Sequence, residues 1–314
     1  MLRTGQMFEG YLIDGVLGRG GSATVYRAKA VYPTEADYRA KADYPTEADY
    51  PTETGCQATA TAQHMVALKV LDDDHRSAAD VARLEREFDF ADQLHHPHVV
   101  RVERHGEGWL AMQLVDGGNV AALRTLAQRL QALTQIAEAL DYVHHRGIVH
   151  CDVKPTNILV AKDFYRDGAV LVDFGVARAL AEDVHRKRPL QIRASLPYLA
   201  PEMLRGNMPT GVTDEYALAC TMVELLTGAP PFVAETSLAL AEAQLHEDPP
   251  RISRTISWVP RAFDSILRRA MAKDREERYQ SCVEFMALVA KVMADVLEKS
   301  PEETDAPQKN PEKS

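Results

Sequence analysis

The sequence has no run of 18 or more uncharged apolar residues, and Met1 to Gly10 lacks a long apolar stretch. Crossing a bilayer as a helix takes about 20 apolar residues, so neither a membrane span nor a signal peptide is expected, and the expected location is cytoplasmic. Cysteine is scarce: Cys56, Cys151, Cys220 and Cys282 are scattered, with no Cys-x-x-Cys spacing. That argues against a zinc site and a disulfide framework and predicts reduced thiols. Positive charge is also in deficit. Lys and Arg number 36 against 46 Asp and Glu, a formal net charge of −10, which repels phosphate backbones and anionic lipid where no local basic patch intervenes. No nucleic-acid partner is expected.

What is present is the composition of a folded protein. Over 314 residues the chain is 46% hydrophobic and 26% charged, which excludes disorder, collagen and coiled coil as descriptions of the whole. At roughly 100–200 residues per domain, the length predicts two domains or one two-lobed unit.

The most unusual segment is Tyr32 to Gly55, four hexads reading YPTEAD, YRAKAD, YPTEAD and YPTETG. Their Pro, Thr, Glu and Ala supply too little apolar surface for a β-helix, so a disordered insertion is expected, continued by the polar stretch Cys56 to His64. Short strands are predicted over Tyr11 to Val16, Ala23 to Ala28 and Met65 to Leu71. Helical spacing then takes over. Leu84, Phe88 and Ala91 recur at that period; Leu130, Leu133, Ala137, Leu140 and Val143 repeat it before Gly147. Tyr216 to Leu226 is apolar almost all round and predicts a buried helix. A last helix is expected over Ser281 to Leu297, followed by a charged, Pro-containing tail. The order is a small sheet-containing lobe, then a larger helical lobe.

The chemistry-bearing residues fall in sequence order on this frame. Gly18-Arg19-Gly20-Gly21 lies between two strands, where glycines let backbone N–H groups close over phosphate oxygens. Val66-Ala67-Leu68-Lys69 puts a lysine near the end of an apolar strand. His150-Cys151-Asp152-Val153-Lys154-Pro155-Thr156-Asn157 and Asp173-Phe174-Gly175 follow. Phosphoryl transfer needs a carboxylate to orient the attacking hydroxyl, oxygen ligands for Mg²⁺, and a cation on the non-transferred phosphates. Asp152, Asn157 with Asp173, and Lys69 meet those needs in turn.

With these motifs the sequence resembles the protein kinase family, and specifically the bacterial Ser/Thr kinases similar to eukaryotic ones, from about Phe8 to Leu297. Ala200-Pro201-Glu202, Asp214 and Arg278 extend the match. The resemblance implies an α+β, two-lobed fold: an antiparallel-sheet N-lobe with one main helix over 8–115, interrupted by the 31–64 insertion, a helical C-lobe over 116–297, and a disordered tail over 298–314. It implies ATP and Mg²⁺ as cofactors, with Mn²⁺ as a substitute, and protein substrates. Lys69 is then the ligand of the α- and β-phosphates and Glu87 its ion-pair partner, with Glu85 as the rival. Asp152 is the catalytic base, Lys154 the Ser/Thr-type lysine near the attacking hydroxyl, and Asn157 and Asp173 the metal ligands. Gly18 and Gly20 cover the phosphates. Val25, Ala67 and Leu159 wall the adenine, Met112 is the gatekeeper, and the backbone of Gln113 and Val115 bonds the adenine edge. Ser195 is expected to bond Asp152 and Lys154, while Glu202, Asp214 and Arg278 build the peptide platform, Arg278 pairing with Glu202.

Two departures stand out. Ala23 replaces the third glycine of the phosphate loop, and Cys151 stands where most such kinases carry arginine. From Val176 to Ala200 the only hydroxyls are Ser195 and Tyr198, so activity without activation-segment phosphorylation is expected. Competing readings are a pseudokinase scaffold and a small-molecule phosphotransferase. Thr34, Thr46, Thr52 and Thr54 suggest phosphorylation sites for a phosphothreonine-reading partner; the sequence leaves the oligomeric state open. His95-His96-Pro97-His98 resembles metal-binding material but lacks a Cys or carboxylate to complete a tetrahedral set. Arg186-Lys187-Arg188 reads as a solvated basic run.

Overall fold

The computed structural model describes residues 1–31, 64–179 and 195–299. The hexad repeats, Cys56, the basic run at 186–188 and residues 300–314 lie outside the described residues. The chain divides into two compact units, Met1–Glu85 with Val102–Leu114, and Arg86–Arg101 with Val115–Ser314.

The first unit is a six-stranded antiparallel sheet. Its strands are β1 (Met7–Phe8), β2 (Tyr11–Arg19), β3 (Ala23–Ala30), β4 (Met65–Leu71), β5 (Val102–Gly106) and β6 (Trp109–Gln113), in the order β1-β2-β3-β4-β6-β5. Strand β2 passes its expected end at Val16 because Gly18 still pairs with Val25 and Arg19 with Thr24, across two register shifts. The turn therefore shrinks to residues 20–22, closed by the Gly20 N–H on the Ala23 carbonyl at 2.8 Å. One face carries the core: Tyr26, Ala28, Val66, Leu68, Val70, Trp109 and Ala111 cluster with Tyr11 and Ile13. Burying a Val, Leu or aromatic side chain is worth about 1.5–3 kcal/mol, an upper figure because the unfolded chain is already partly compact. Phe8 and Tyr11 both meet the Trp109 indole edge-on.

Helix α1 (Ala78–Asp92) starts in this unit and ends in the other. At its start the Asp80 N–H donates to Ser77 Oγ, the bond that makes serine a favoured helix opener. The sequence divided the chain once, near residue 115. The structure groups residues 86–101 with the second unit because Val100 donates to the Leu171 carbonyl and the Leu171 N–H to that of His98.

The second unit is built on helices. They are α2 (Leu126–His144), α3 (Phe164–Asp167), α4 (Pro201–Leu204), α5 (Gly211–Thr227), α6 (Ser237–His246), α7 (Arg261–Ala270) and α8 (Cys282–Lys299). Thr125 and Gln128 form a reciprocal capping box at the start of α2. Helix α5 begins five residues before the apolar stretch that announces it, and its residues from Thr213 to Val223 are all buried. It stops at Gly228, whose φ of +80° is a left-handed backbone that glycine adopts without a Cβ penalty. Helix α2 packs on α8, α5 and the short strand Ala169–Leu171. Two small ladders complete the unit, β7 (Ile148–Val149) with β10 (Arg178–Ala179), and β8 (Ile158–Val160) with β9 (Ala169–Leu171). Helix α8 reaches Lys299, two residues past its expected end. No helix among the described residues is long and apolar enough to cross a membrane.

Candidate active site

In the first unit the candidate nucleotide residues share a sheet face. Val25 lies opposite both Gly18 and Lys69, Lys69 opposite Leu110, and Ala67 opposite Arg27 and Met112. Paired residues point the same way and alternate along a strand. Val25, Ala67, Lys69 and Met112 are therefore on the face opposite the Tyr26–Leu68–Ala111 core. Gln113 pairs with Val66 at the end of β6. A Cβ on Gly18 would meet nothing within 4 Å, so the backbone there is open to approach.

In the second unit Val115 and Leu159 are half-buried. Leu159, opposite Val170, bridges to Asn119, and the segment before Asn119 is drawn in by the Gly117 N–H on the Val160 carbonyl. Glu87 is 5% exposed whereas Glu85 is exposed, which favours Glu87 of the two. A Cβ on Gly175 would stand 3.1 Å from Asp173 Oδ1 and 3.2 Å from Glu87 Oε2, so both carboxylates reach the same glycine. Lys69 and Glu87 belong to different units, and each is placed here within its own.

Asp152 sits on a tightly bonded loop. Lys154 Nζ donates to its Oδ2 at 2.7 Å, and Asn157 Nδ2 donates to that oxygen and to the Asp152 carbonyl, both at 2.9 Å. Among the described residues these bonds leave Oδ1 open. Ser195 Oγ accepts from Lys154 Nζ at 2.9 Å. The expected direct bond from Ser195 to Asp152 is absent; the lysine bridges the two, its ammonium having donors for both. The Val172 N–H on the Asn157 carbonyl places Asp173 next to this loop.

Two residues of the site hold left-handed backbone, Cys151 at φ +65° and Asp173 at φ +69°. Outside glycine such conformations persist only where the surroundings fix them. The fixing groups are named side chains. Asp214, fully buried in α5, accepts the N–H of His150 on Oδ2 and that of Cys151 on Oδ1, each at 2.8 Å, and also His144 Nε2 at 2.8 Å. His150 bonds the Val172 carbonyl and meets the Phe174 ring edge-on, which ties the Asp173 turn to the Asp152 loop. Burial, and then the Asp214 charge, push the Cys151 thiol up and keep it neutral. It donates weakly to the Val149 carbonyl and packs on Leu196, Leu199 and Met203.

Behind the site Arg278 and Glu202 form a buried two-pronged pair, both contacts 2.8 Å. Thr213 Oγ1 also donates to Glu202 at 2.8 Å. Burial raises the Glu202 carboxyl, but the Arg278 bonds and charge outweigh it, so the net shift is downward. Tyr198 donates to Glu224. His144 and Thr213 are the partners sequence reasoning missed. A lone histidine at a helix end and a threonine at a helix start carry no spacing signal; only the fold brings them to Asp214 and Glu202. The His95–His98 run follows α1, and several of its polar groups are engaged: His98 Nδ1 on the Ala169 carbonyl, the His98 N–H on His96 Nδ1, and the His95 N–H on Tyr142.

A carboxylate gripped on one oxygen by a lysine and an asparagine, with a second carboxylate following on a fixed turn, suits phosphoryl transfer. The chain belongs to the protein kinase family: residues 54–292, more than half of it, match the protein kinase domain. It is 37% identical over 297 residues to the serine/threonine-protein kinase PknJ of Mycobacterium tuberculosis, covering 90% of this chain and 45% of that protein. It is 33% identical over 320 residues to PknH of the same species, covering 96% of this chain and 46% of the other. PknF, again 33% identical, is covered to 56%. The chain thus spans about half the length of the curated relatives it matches.

The family uses ATP and a divalent metal ion. Asn157 fits such an ion, because both donor contacts of its amide go to Asp152 and the oxygen is the end turned elsewhere. The carboxylate of Asp173 is a hard anionic donor of the kind that fits a divalent ion.

Proposed function

We propose that the protein is a serine/threonine protein kinase that transfers the γ-phosphoryl group of ATP to hydroxyls of protein substrates. The observation that carries this reading is the bonding of Asp152, whose Oδ2 is held by Lys154 and Asn157 while Oδ1 is left to meet a substrate hydroxyl. In this reading Asp152 orients that hydroxyl and takes its proton, and Lys154 holds Asp152 and Ser195 in register. Lys69 neutralises the non-transferred phosphates, and the backbone at Gly18 and Gly20 covers them. Val25, Ala67, Leu159 and Met112 line the adenine, whose edge bonds the backbone of Gln113 and Val115. Asn157 and Asp173 hold Mg²⁺, or Mn²⁺ in its place, and Glu87 keeps the role given by the family pattern. When bound, the cation neutralises charge on the transferring group. Glu202, Asp214 and Arg278 support the peptide platform. The lobes run over 8–115 and 116–297, and a cytoplasmic location follows from the need for ATP.

The purified chain, incubated with labelled ATP and Mg²⁺ and a protein substrate, should label serine and threonine. Asp152→Asn should lower turnover about 10²–10⁴-fold, the usual worth of a positioned base, with ATP binding retained. Turnover near that of the wild type would remove Asp152 from the role, and absence of transfer by the wild type would favour the scaffold reading.

Cys151 extends the reading to regulation. An arginine at this position would hold a phosphate of roughly −1.5 to −2 charge on the activation segment. A neutral thiol packed on Leu196, Leu199 and Met203 gives the end of that segment an apolar anchor instead. Phosphatase treatment should leave the initial rate within a few fold; silencing, with the lost phosphate mapped to Ser195, would make that serine the switch.

A further inference from the structure

We propose that Asp141, His144 and Cys282 form a zinc-binding site, separate from the residues assigned to ATP and independent of the kinase reading. One ligand atom from each lies within 4.8 Å of the others, and His144 Nδ1 is 3.9 Å from Asp141 Oδ1. Tetrahedral ligands at zinc bond lengths of about 2.0–2.3 Å stand roughly 3.3–3.8 Å apart. Closing the set therefore asks for side-chain shifts of about 1 Å.

The fold directs the three groups to one point. Asp141 and His144, three residues apart, share a face of α2, and Cys282 opens α8, which packs on that helix. His144 Nε2 is committed to Asp214 at 2.8 Å. A carboxylate only accepts, so the proton is on Nε2 and Nδ1 keeps its lone pair for a metal. This is the carboxylate–histidine arrangement that orients metal-ligating imidazoles. The ring is also fixed from the side: a Cβ on Gly211 would stand 2.8 Å from Nδ1, so glycine lets the start of α5 lie flat on the imidazole.

Asp141 also caps α8, accepting the N–H of Cys282 at 2.9 Å and of Val283 at 3.1 Å. Capping uses one lone pair on each oxygen and leaves one for a cation. It accounts for the carboxylate alone, and neither for the Nδ1 of His144 nor for the Cys282 thiol placed beside both. A cavity of about 370 Å³, lined by Asp141, His144, Thr210, Gly211 and Ser281 among others, opens on two of the three groups and gives room for a water as fourth ligand. Mixed sulfur, nitrogen and oxygen donors in a three-residue set suit Zn²⁺ better than Mg²⁺ or Ca²⁺. On binding, the Zn–S bond forms as the Cys282 S–H bond breaks, and the proton leaves to solvent. The ion would be linked through His144 to Asp214, and so to the backbone of His150 and Cys151.

The test uses the full chain and Co²⁺ as a spectroscopic stand-in for zinc. One equivalent should give a sulfur-to-cobalt charge-transfer band, removed by Zn²⁺, and zinc addition should release about one proton per chain near neutral pH. Cys282→Ser should abolish the band and weaken zinc more than the about 10–100-fold cost of losing an outer-shell partner, whereas Cys56→Ser and Cys220→Ser should keep it. A wild-type cobalt complex without a thiolate band, or a band that survives in Cys282→Ser, overturns the proposal. If Cys282→Ser does not fold, zinc-edge X-ray absorption of the wild type decides: one sulfur in the shell supports the site, none refutes it.

Discussion

Asp214 and Glu215 are neighbours in α5, both without solvent exposure, yet the two sides of the helix treat a buried carboxyl in opposite ways. Asp214 faces the catalytic loop and is met by two backbone N–H groups and an imidazole. Glu215 faces α8, accepts the Tyr279 N–H at 3.2 Å on Oε1, and has a buried Oε2 with no hydrogen-bond partner. Burial pushes Glu215 up to about 9, against smaller downward effects from the Tyr279 N–H and Arg278, so it is neutral at pH 7. A buried acid remains an anion when donors are arranged around it and takes up a proton when they are not. The side of α5 that holds the strained loop is the side with the donors.

The hardest test of that contrast is Asp214→Ala. It strands two backbone donors and an imidazole in the interior, at about 1–3 kcal/mol for each unsatisfied group. The variant should lose more than 3 kcal/mol in denaturant unfolding, about the sum at the lower limit, and phosphoryl transfer with it. A stable, active Asp214→Ala protein would show that the left-handed backbone at Cys151 is held by something else. Arg278→Met is the next test, because it turns the paired Glu202 into a second Glu215. Removing one partner of a buried pair costs about 3–5 kcal/mol, and the Glu202 carboxyl should rise above the ordinary range, which proton uptake on folding would detect.

Glu215→Gln should have the smallest effect and the opposite sign. Because the folded-state value lies above the unfolded one, the stability contributed by the proton is complete below about 4.5 and is lost as pH rises towards about 9. The wild type should therefore lose up to about 1.4 kcal/mol per pH unit in that window, a slope the glutamine variant lacks. Measured near pH 5, just inside that window, a gain of about 1 kcal/mol would appear as a Tm higher by roughly 2–4 °C. An unchanged slope would mean that Glu215 is ionised in the folded protein.

The contrast also separates what the sequence discloses from what it conceals. The motif residues of the Asp152 loop and the Asp173 turn are close in sequence, and their bonding to one another follows from chemistry that spacing can carry. Asp214 and Glu202 were legible through the family pattern, although their partners His144 and Thr213 were not. Strands β5 and β6 and helix α6 left no clear periodic signal, being short or apolar on more than one side, whereas α7, with Phe263, Ile266, Leu267 and Ala270 buried at helical spacing, was legible and went unread. Cysteine spacing carries no trace of the meeting of Cys282 with Asp141 and His144, which lie 141 and 138 positions away. Contacts of that range are set by helix packing, which a local pattern does not encode.

The strands that border the hexad repeats remain paired to their very ends, Lys29 opposite Met65 and the Ala30 N–H on the His64 carbonyl. The chain thus leaves the sheet and re-enters it at almost the same point, as at a doorway. Closing a longer connection between two such paired ends costs only about 0.6 kcal/mol per doubling of its length, so the sequence between them can change by whole hexads while the register of the sheet stays the same. That doorway is a natural port for grafting: a reporter domain whose termini lie close together could replace the repeats, and the sheet would carry it as it now carries the hexads.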